Sequence, residues 1–469
     1  MFSSFSALSV CGRGAARLAA VTLASGLAVS GALVTAGPAA ADTTPAYTQG
    51  GATATIGGLG TYGAAVVHSA EGDLEISAGL FEMSVEGGGM LQTYCVDIHN
   101  PTQKDAKYHE TPWSGTSLGA NKNAGRIRWI LQNSYPQVND LASLAKNAGV
   151  RGGLSEQDAA AGTQVAIWRY SDGVDVDAVD PEAQKLADYL ENSARDVAEP
   201  EASLTLDPPA LSGHPGGLLG PVTVHTNADS VTVTPPADAA TSGVRIVGKD
   251  GKDITTAQDG SQLFFEVPAD TTDGSAELTV QASTTVPVGR AFASETRSQT
   301  QILAGSSEST VTATASATWA ETGAIPALSA AENCAEGGVD ITAVNQGDEA
   351  FTFELMGTEH TIAAGETRTV TIPLQEDQAY DFTITGPGGY EKRFTGVLDC
   401  RTQAAAASEA GESTQILTQP SPATIGSTSA DVNLAATGSS DTTPAIAGVA
   451  IGLVVVGGAA LVVVRKKKS

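Results

Sequence analysis

Two short stretches of this sequence carry side chains that could react with each other. Cys95 lies in the stretch Tyr94–Asp97, and Gln164 lies in the stretch Gly162–Trp168. A thiol held against a carboxamide could displace ammonia and leave a thioester, which is an activated acyl group. The remaining elements of the chain would then have to bring the two side chains together and protect them from water.

The stretch around Gln164 has the pattern of a helix. Ser155 and Asp158 have capping-box spacing, which predicts a helix that runs on toward Trp168. Ile167 and Trp168 would share the face of Gln164, with small alanines one turn before it, so that another segment could approach closely. Gly162 costs such a helix about 1 kcal/mol relative to alanine, so a break at this glycine is an open alternative.

The stretch around Cys95 has the pattern of a strand. Cys95 alternates with Leu91 and Thr93 on one face of an apolar run, and strands are expected at 74–85 and 90–98. A buried free cysteine often behaves simply as a small hydrophobic residue. The strand pattern alone therefore leaves the chemical role of Cys95 open.

The two motifs together resemble the thioester domains of Gram-positive surface adhesins. Tyr94–Asp97 and Thr163–Trp168 carry the resemblance, and Arg126–Pro136 resembles the family's intervening helix. The likeness covers residues 50–200. It implies that the Cys95 sulfur displaces ammonia from Gln164, and that a target amine then attacks the Gln164 acyl carbon to form an isopeptide bond.

Aminolysis would be helped by a base, because a lysine amine with a pKa near ~10.4 is almost entirely protonated at neutral pH. Asp97, His99 and His109 are the candidates by proximity in sequence. A Cys–His hydrolase that pairs Cys95 with His68, His99 or His109 is an alternative.

Both ends of the chain have the composition of export and anchoring signals. Residues 1–41 are predicted to be a secretory signal peptide, with a retained membrane helix as the alternative. Residues 403–433 are predicted to be a disordered, wall-spanning linker. The pentapeptide Leu434, Ala435, Ala436, Thr437 and Gly438, an apolar span at 445–464 and a basic tail resemble a sortase sorting signal. That resemblance implies cleavage after Thr437 and linkage to peptidoglycan, with the membrane only a processing intermediate.

Between these ends we expect a multidomain chain. Residues 42–200 are predicted to form an α+β thioester domain, followed by two all-β immunoglobulin-like sandwiches at 201–325 and 326–402 that act as spacers. Cys334 and Cys400 flank the last module and are expected to form a disulfide, because they are the cysteines left after export once Cys95 is assigned. Lys–Asn isopeptide bonds in the sandwiches are a further alternative, with Lys249 or Lys252 and Asn227 in the first, and Lys392 and Asn333 or Asn345 in the second.

The composition narrows the classes of partner. The chain of 469 residues has a formal net charge of −27, which disfavours binding to nucleic acid. We expect no cofactor and no metal site. The sequence therefore predicts a non-enzymatic, wall-anchored adhesin that bonds to an amine-bearing surface protein or other ligand. A structural surface protein that locks or links itself, and a secreted cysteine hydrolase, are the alternatives.

Overall fold

The computed structural model describes residues 50–70 and 72–402. The predicted signal peptide, the linker at 403–433, the sorting pentapeptide at 434–438 and the apolar span at 445–464 all lie outside the described residues. Every helix within the described ranges is too short or too polar to cross a bilayer.

The N-terminal part of the described chain combines a sheet with a set of helices. Its strands are β1 (Thr53–Ser69), β2 (Gly72–Val85), β3 (Met90–Cys95), β4 (Lys107–Thr111) and β5 (Val176–Ala178). Its helices are α1 (Ser117–Ala120), α2 (Ala124–Gln132), α3 (Leu141–Asn147), α4 (Glu156–Ser171) and α5 (Pro181–Ser193), with a 3-10 turn at Trp113–Gly115 before α1.

Helix α4 is continuous from Glu156 to Ser171, so the predicted helix is confirmed and the alternative of a break at Gly162 is wrong. Its capping box is confirmed: Ser155 accepts a hydrogen bond from the Asp158 amide, and the Asp158 side chain accepts one from the Ser155 amide. Gly162 has a packing role instead, because a Cβ there would lie 2.5 Å from the Ala183 carbonyl oxygen of α5. The glycine thus lets α5 pack closely on α4, and this packing outweighs the poor helix propensity of glycine.

The second part of the chain forms a two-sheet module from which one β-hairpin extends. Its elements are β6 (Leu204–Asp207), β7 (Ala210–Gly213), β8 (Leu218–Thr226), β9 (Val231–Thr234), α6 (Ala239–Ser242), β10 (Arg245–Val247), β11 (Thr256–Ala257), β12 (Gln262–Glu266), β13 (Gly274–Thr285), β14 (Ala291–Ser294), β15 (Gln301–Ser306) and β16 (Glu308–Trp319). One sheet has the order β10-β12-β8-β6 and the other β11-β9-β13-β16-β7.

The extending hairpin is β14–β15, which leaves this module and completes the sheet of the N-terminal part. Strand β15 pairs with β3, placing Gln301 opposite Cys95, and β14 pairs with β4. Since β1 also pairs with both β2 and β4, six strands close on themselves in the order β1-β2-β3-β15-β14-β4. The expectation of a thioester domain confined to residues 42–200 therefore differs from the structure.

The third part of the chain is all β and carries the disulfide. Its strands are β17 (Pro326–Asn333), β18 (Gly338–Asn345), β19 (Phe351–Leu355), β20 (Thr358–Ile362), β21 (Glu366–Pro373), β22 (Ala379–Thr385) and β23 (Glu391–Val397). They form one three-stranded sheet, β17-β18-β21, and the pairs β19-β20 and β22-β23. The structure joins Cys334 to Cys400, the expected pair, with their Cα atoms 5.1 Å apart.

This third module packs against the N-terminal part rather than extending away from it. The Cys334 amide donates to the Ser114 carbonyl at 3.0 Å. The Thr300 hydroxyl at the base of the hairpin donates to the Asp399 carboxylate, also at 3.0 Å. Two predicted spacers thus both contact the part of the chain that holds Cys95, and neither acts only as a spacer.

Candidate functional site

The side chain of Gln164 lies directly on the backbone of Cys95. The Cys95 amide donates to Gln164 Oε1 at 3.0 Å, and Gln164 Nε2 donates to the Cys95 carbonyl at 2.9 Å. This pair of hydrogen bonds fixes both the position and the orientation of the carboxamide. The Cys95 N–H points at the oxygen that becomes negative when the Gln164 carbonyl carbon is attacked, so it is a preformed oxyanion donor.

Secondary structure explains why these two residues meet. Cys95 is the last residue of β3, and Gln164 lies in the middle of α4, which packs across β1 and β2. Both side chains are almost wholly buried, with Cys95 2% and Gln164 1% exposed. A thioester formed here would be protected from hydrolysis until a partner reaches it.

The two residues line one open cleft, which we call the Cys95 cleft. Its empty volume is about 390 Å³. The described residues that line it are Ile76, Ser77, Gly79, Phe81, Cys95, Ile98, Asn100, Pro101, Thr102, Gln164, Trp168 and Gln299. The predicted flanking residue Trp168 is thus part of the wall.

The Cys95 sulfur receives hydrogen bonds from groups that the sequence analysis missed. Gln301 Nε2 donates to Cys95 Sγ at 3.3 Å, and its Oε1 is held by the Thr93 hydroxyl at 3.0 Å. The Thr102 hydroxyl lies 3.8 Å from the same sulfur. Both groups can donate to a thiolate, so both could stabilise Cys95 as a leaving group.

Burial dominates the ionisation of the free Cys95 thiol. Desolvation raises its pKa to about 12, while the hydrogen bonds from Gln301 and Thr102 act in the opposite direction. The resting group is therefore a neutral thiol at physiological pH. If a bond to Gln164 is to form, this proton would have to leave the sulfur, and the departing ammonia could take it up.

The three candidate bases do not line the Cys95 cleft. Asp97 accepts a hydrogen bond from the His99 amide at 2.9 Å, so it stabilises the turn after β3. His99 is partly buried, desolvation lowers its pKa, and its Nε2 has no partner among the described residues. His109 lies on β4, 2.6 Å from Glu295, and lines a different cavity beside Glu332 of the third module.

The residues needed for the alternative chemistries are engaged elsewhere. His68 binds Asp73 at 2.8 Å, so the structure does not pair it with Cys95. The Asn345 amide donates to backbone carbonyls, the closest being that of Glu349, and Asn333 donates to Asp340. Asn227 is hydrogen-bonded to Thr285. Within the described ranges, none of these three asparagines is hydrogen-bonded to a lysine. The structure therefore gives no support to a Lys–Asn isopeptide bond.

Buried carboxyl groups collect where the third module meets the end of β3. Desolvation raises the pKa of Asp97 to about 6 and that of Asp399 to about 7, and the two carboxyls repel each other. Asp172, which accepts from the Ile98 amide, also has its pKa raised by burial. One carboxylate oxygen each of Glu376, Asp377 and Asp399 lies within 4.8 Å of the others, a spacing that could hold a metal ion. Glu376, however, already accepts hydrogen bonds from the Cys400 and Arg401 amides.

These raised pKa values predict that stability falls as pH rises. A carboxyl with a raised pKa binds its proton more tightly in the folded chain, so its contribution is fully present below pH ~4. That contribution is lost as pH rises to about 7, the folded pKa of Asp399. The Asp399→Asn variant should melt a few degrees above wild type at pH 8 and like wild type at pH 4, as measured by calorimetry.

The control for this prediction is Asp381→Asn. Arg393 lowers the pKa of the Asp381 carboxyl, so this substitution should not stabilise the chain at pH 8. Equal effects of both substitutions across the pH range would contradict the proposed repulsion between Asp97 and Asp399.

Two family models match parts of this chain. Residues 92–196, which include Cys95 and Gln164, match the family model described as "Thioester domain". Residues 311–397 match the model described as "Bacterial phospholipase C, C-terminal domain". No curated protein matches the chain.

Solved structures of thioester proteins are also similar to this chain. One is described as the Bacillus anthracis TIE protein, at 16% identity and a TM-score of 0.27; the match covers 74% of this chain and spans 64% of that protein's length. Another is described as the thioester domain of the Enterococcus faecium TIE86 protein, at 16% identity and a TM-score of 0.26, covering 58% of this chain and 97% of that one.

Proposed function

We propose that the chain is a surface adhesin whose Cys95–Gln164 thioester bonds covalently to an amine on a target. The observation that carries the proposal is the pair of hydrogen bonds between the Gln164 carboxamide and the Cys95 backbone, at 3.0 and 2.9 Å. The match of residues 92–196 to a thioester-domain model supports it.

The proposed chemistry has two balanced steps. In the first, the Cys95 sulfur attacks the Gln164 carbonyl carbon, the C–N bond breaks, and the thiol proton leaves with ammonia. In the second, the nitrogen of a target amine attacks the same carbon, the C–S bond breaks, and the amine loses a proton as Cys95 regains one. The product is an amide between Gln164 and the target, so each chain reacts once and the protein is not an enzyme.

The proposal includes an anchored location. The predicted signal peptide and the sortase-type pentapeptide at 434–438 would export the chain and join Thr437 to peptidoglycan. The reactive domain would then lie far along the chain from its anchor, where an amine-bearing surface protein or other surface ligand can reach it.

A self-locking structural role is the second candidate. It is favoured by the low exposure of Cys95 and Gln164, since a thioester sealed from solvent would tie β3 to α4 without needing a target. Reaction with an amine distinguishes the two roles. Capture of the amine supports the adhesin, whereas a thioester that stays intact in the presence of the amine supports the lock.

The first test is the mass of the freshly purified chain. Wild type should weigh one ammonia less than its sequence requires, whereas Gln164→Ala should have the full mass of its own sequence. Comparing the two proteins from the same preparation cancels any processing of the ends. An undiminished wild-type mass would contradict the proposed thioester.

A further inference from the structure

One residue that lines the Cys95 cleft, Gln299, has a side-chain hydrogen-bond acceptor without a partner among the described residues. Gln299 is 7% exposed, and its Oε1 is buried without a partner among the described residues. Leaving a buried acceptor unpaired costs about 1–3 kcal/mol, so such groups are rare in folded proteins. Gln299 belongs to the hairpin β14–β15 and lines the cleft together with Cys95 and Gln164.

The orientation of the Gln299 amide is fixed by its neighbour. Gln299 Nε2 donates to Thr102 Oγ1 at 2.8 Å, and Gln301 Nε2 donates to the same oxygen at 3.4 Å. Thr102 Oγ1 therefore accepts twice, and its own hydrogen is free to point at Cys95 Sγ, 3.8 Å away. With its nitrogen engaged in this way, Gln299 keeps its oxygen available.

The chemistry of the cleft wall suits a neutral amine. Among the described residues that line the cleft, Cys95 is the only one with an ionisable side chain. Trp168 Nε1 is also buried without a partner there, but it is a donor and cannot accept an N–H. An incoming amine has hydrogens to donate. Gln299 Oε1 matches it as a buried acceptor that has no partner among the described residues, which is not shown for the Ser77 and Asn100 oxygens of the same wall.

We propose that Gln299 Oε1 binds the attacking amine of the target and orients its lone pair toward the Gln164 acyl carbon. This inference rests on the proposed thioester function. When the amine nitrogen bonds to that carbon it becomes positively charged, and its N–H donates more strongly to Gln299 until the proton leaves. The hydrogen bond therefore strengthens in the transition state, which is the condition for catalysis.

The same argument predicts selectivity for amines over hydrolysis. Attack by hydroxide develops no positive charge on the nucleophile, so an added neutral acceptor helps it much less. Gln299 thus favours capture of a primary amine over loss of the thioester to water. It is a substrate-binding residue supplied by the second module to a site formed mainly by the first.

The test compares aminolysis with hydrolysis in the full chain. Gln299→Met keeps the volume of the side chain and removes the acceptor, while Thr102 retains the Gln301 contact. We expect Gln299→Met to form the thioester, to hydrolyse within about twofold of the wild-type rate, and to react with methylamine about 10- to 100-fold more slowly, as expected for a hydrogen bond to a charged donor. Both rates are followed by intact mass.

Two variants serve as controls. Gln103→Met alters a nearby glutamine outside the cleft, bonded to the Arg297 carbonyl, and should leave both rates unchanged. Gln299→Glu restores an acceptor and should recover methylamine capture. A merely structural role for Gln299 would slow both reactions of Gln299→Met equally and would not be rescued by Gln299→Glu.

The possible results distinguish an error in the role of Gln299 from an error in the proposed thioester function. If wild type captures methylamine and Gln299→Met captures it at the same rate, the role of Gln299 is wrong and the thioester stands. If wild type shows neither the missing ammonia nor an adduct, the proposed function itself is wrong.

Discussion

The Cys95→Ala variant is expected to lose covalent amine capture completely while keeping its fold. Wild type should take up one methylamine per chain, and the variant none, because without the sulfur Gln164 remains an unreactive carboxamide. Apart from the thioester cross-link between β3 and α4, the substitution removes only one buried atom of roughly methylene size, which costs about 1 kcal/mol, so the variant should still fold. Intact mass and thermal melting, measured on the same samples, check both parts.

The pH dependence of capture has a definite sign. The neutral fraction of an amine with a pKa near ~10.4 rises about tenfold per pH unit at neutral pH, so capture should be faster at pH 8 than at pH 7. The result that contradicts the account is catalytic turnover of the amine, or an adduct that persists in Cys95→Ala. Turnover would favour the cysteine-hydrolase alternative.

The Arg290→Met variant is expected to be the most destabilised, because it leaves a buried charge without its partner. Arg290 Nε binds Glu110 Oε1 at 3.0 Å, and the side chains are 5% and 0% exposed. Glu110 also accepts from the Ser203 amide at 2.9 Å, and Arg290 also binds Glu199. Removing one member of such a buried pair costs about 3–5 kcal/mol.

This ion pair also joins the modules that form the site. Arg290 immediately precedes β14, so its loss should loosen the hairpin that carries Gln299 and Gln301, and the fraction of chains with a thioester should fall. Urea unfolding measures the stability, and intact mass measures the thioester.

Two further variants test the cause of this loss. The double variant Glu110→Gln/Arg290→Met should recover part of the stability, since no buried charge remains. Arg245→Met breaks exposed pairs with Asp253 and Glu266 and should cost only about 0–1 kcal/mol. Equal losses for Arg290→Met and Arg245→Met would contradict the importance of burial.

Local patterns were enough to predict the two elements that carry the central pair of the site. The capping box at Ser155 and the alternating run that ends at Cys95 locate α4 and β3, whose signals lie within a few neighbouring residues. The resemblance of the two motifs then linked Cys95 to Gln164, and the structure holds their side chain and backbone in hydrogen-bond contact.

The contribution of the hairpin could not be predicted in the same way. Strands β14 and β15 are almost wholly buried on both faces, so they lack the alternation that marks a half-exposed strand. Their pairing with β3 and β4 spans about two hundred residues, as the Thr93–Gln301 hydrogen bond shows. The available signal was the polar run Ser298–Gln301 directly before an apolar stretch, and it does not name its partner strand.

The three candidate bases lie outside the Cys95 cleft for a related reason. Asp97 and His99 are close to Cys95 in sequence, but the chain turns after β3, and the Asp97 carboxylate stabilises that turn. Proximity in sequence says little about direction once a strand has ended. The groups that contact the sulfur come instead from Thr102 and from Gln301 of a distant hairpin.

The position of the captured amine tests the central claim most directly. Wild-type chain is treated with methylamine and digested, and the peptide that contains Gln164 is sequenced by mass spectrometry. The account predicts a methylamide on the Gln164 side chain together with a free Cys95 thiol, and an unmodified Gln164 side chain in Cys95→Ala after the same treatment. Unmodified Gln164 in the treated wild type, or methylamine bound at another residue, would contradict it.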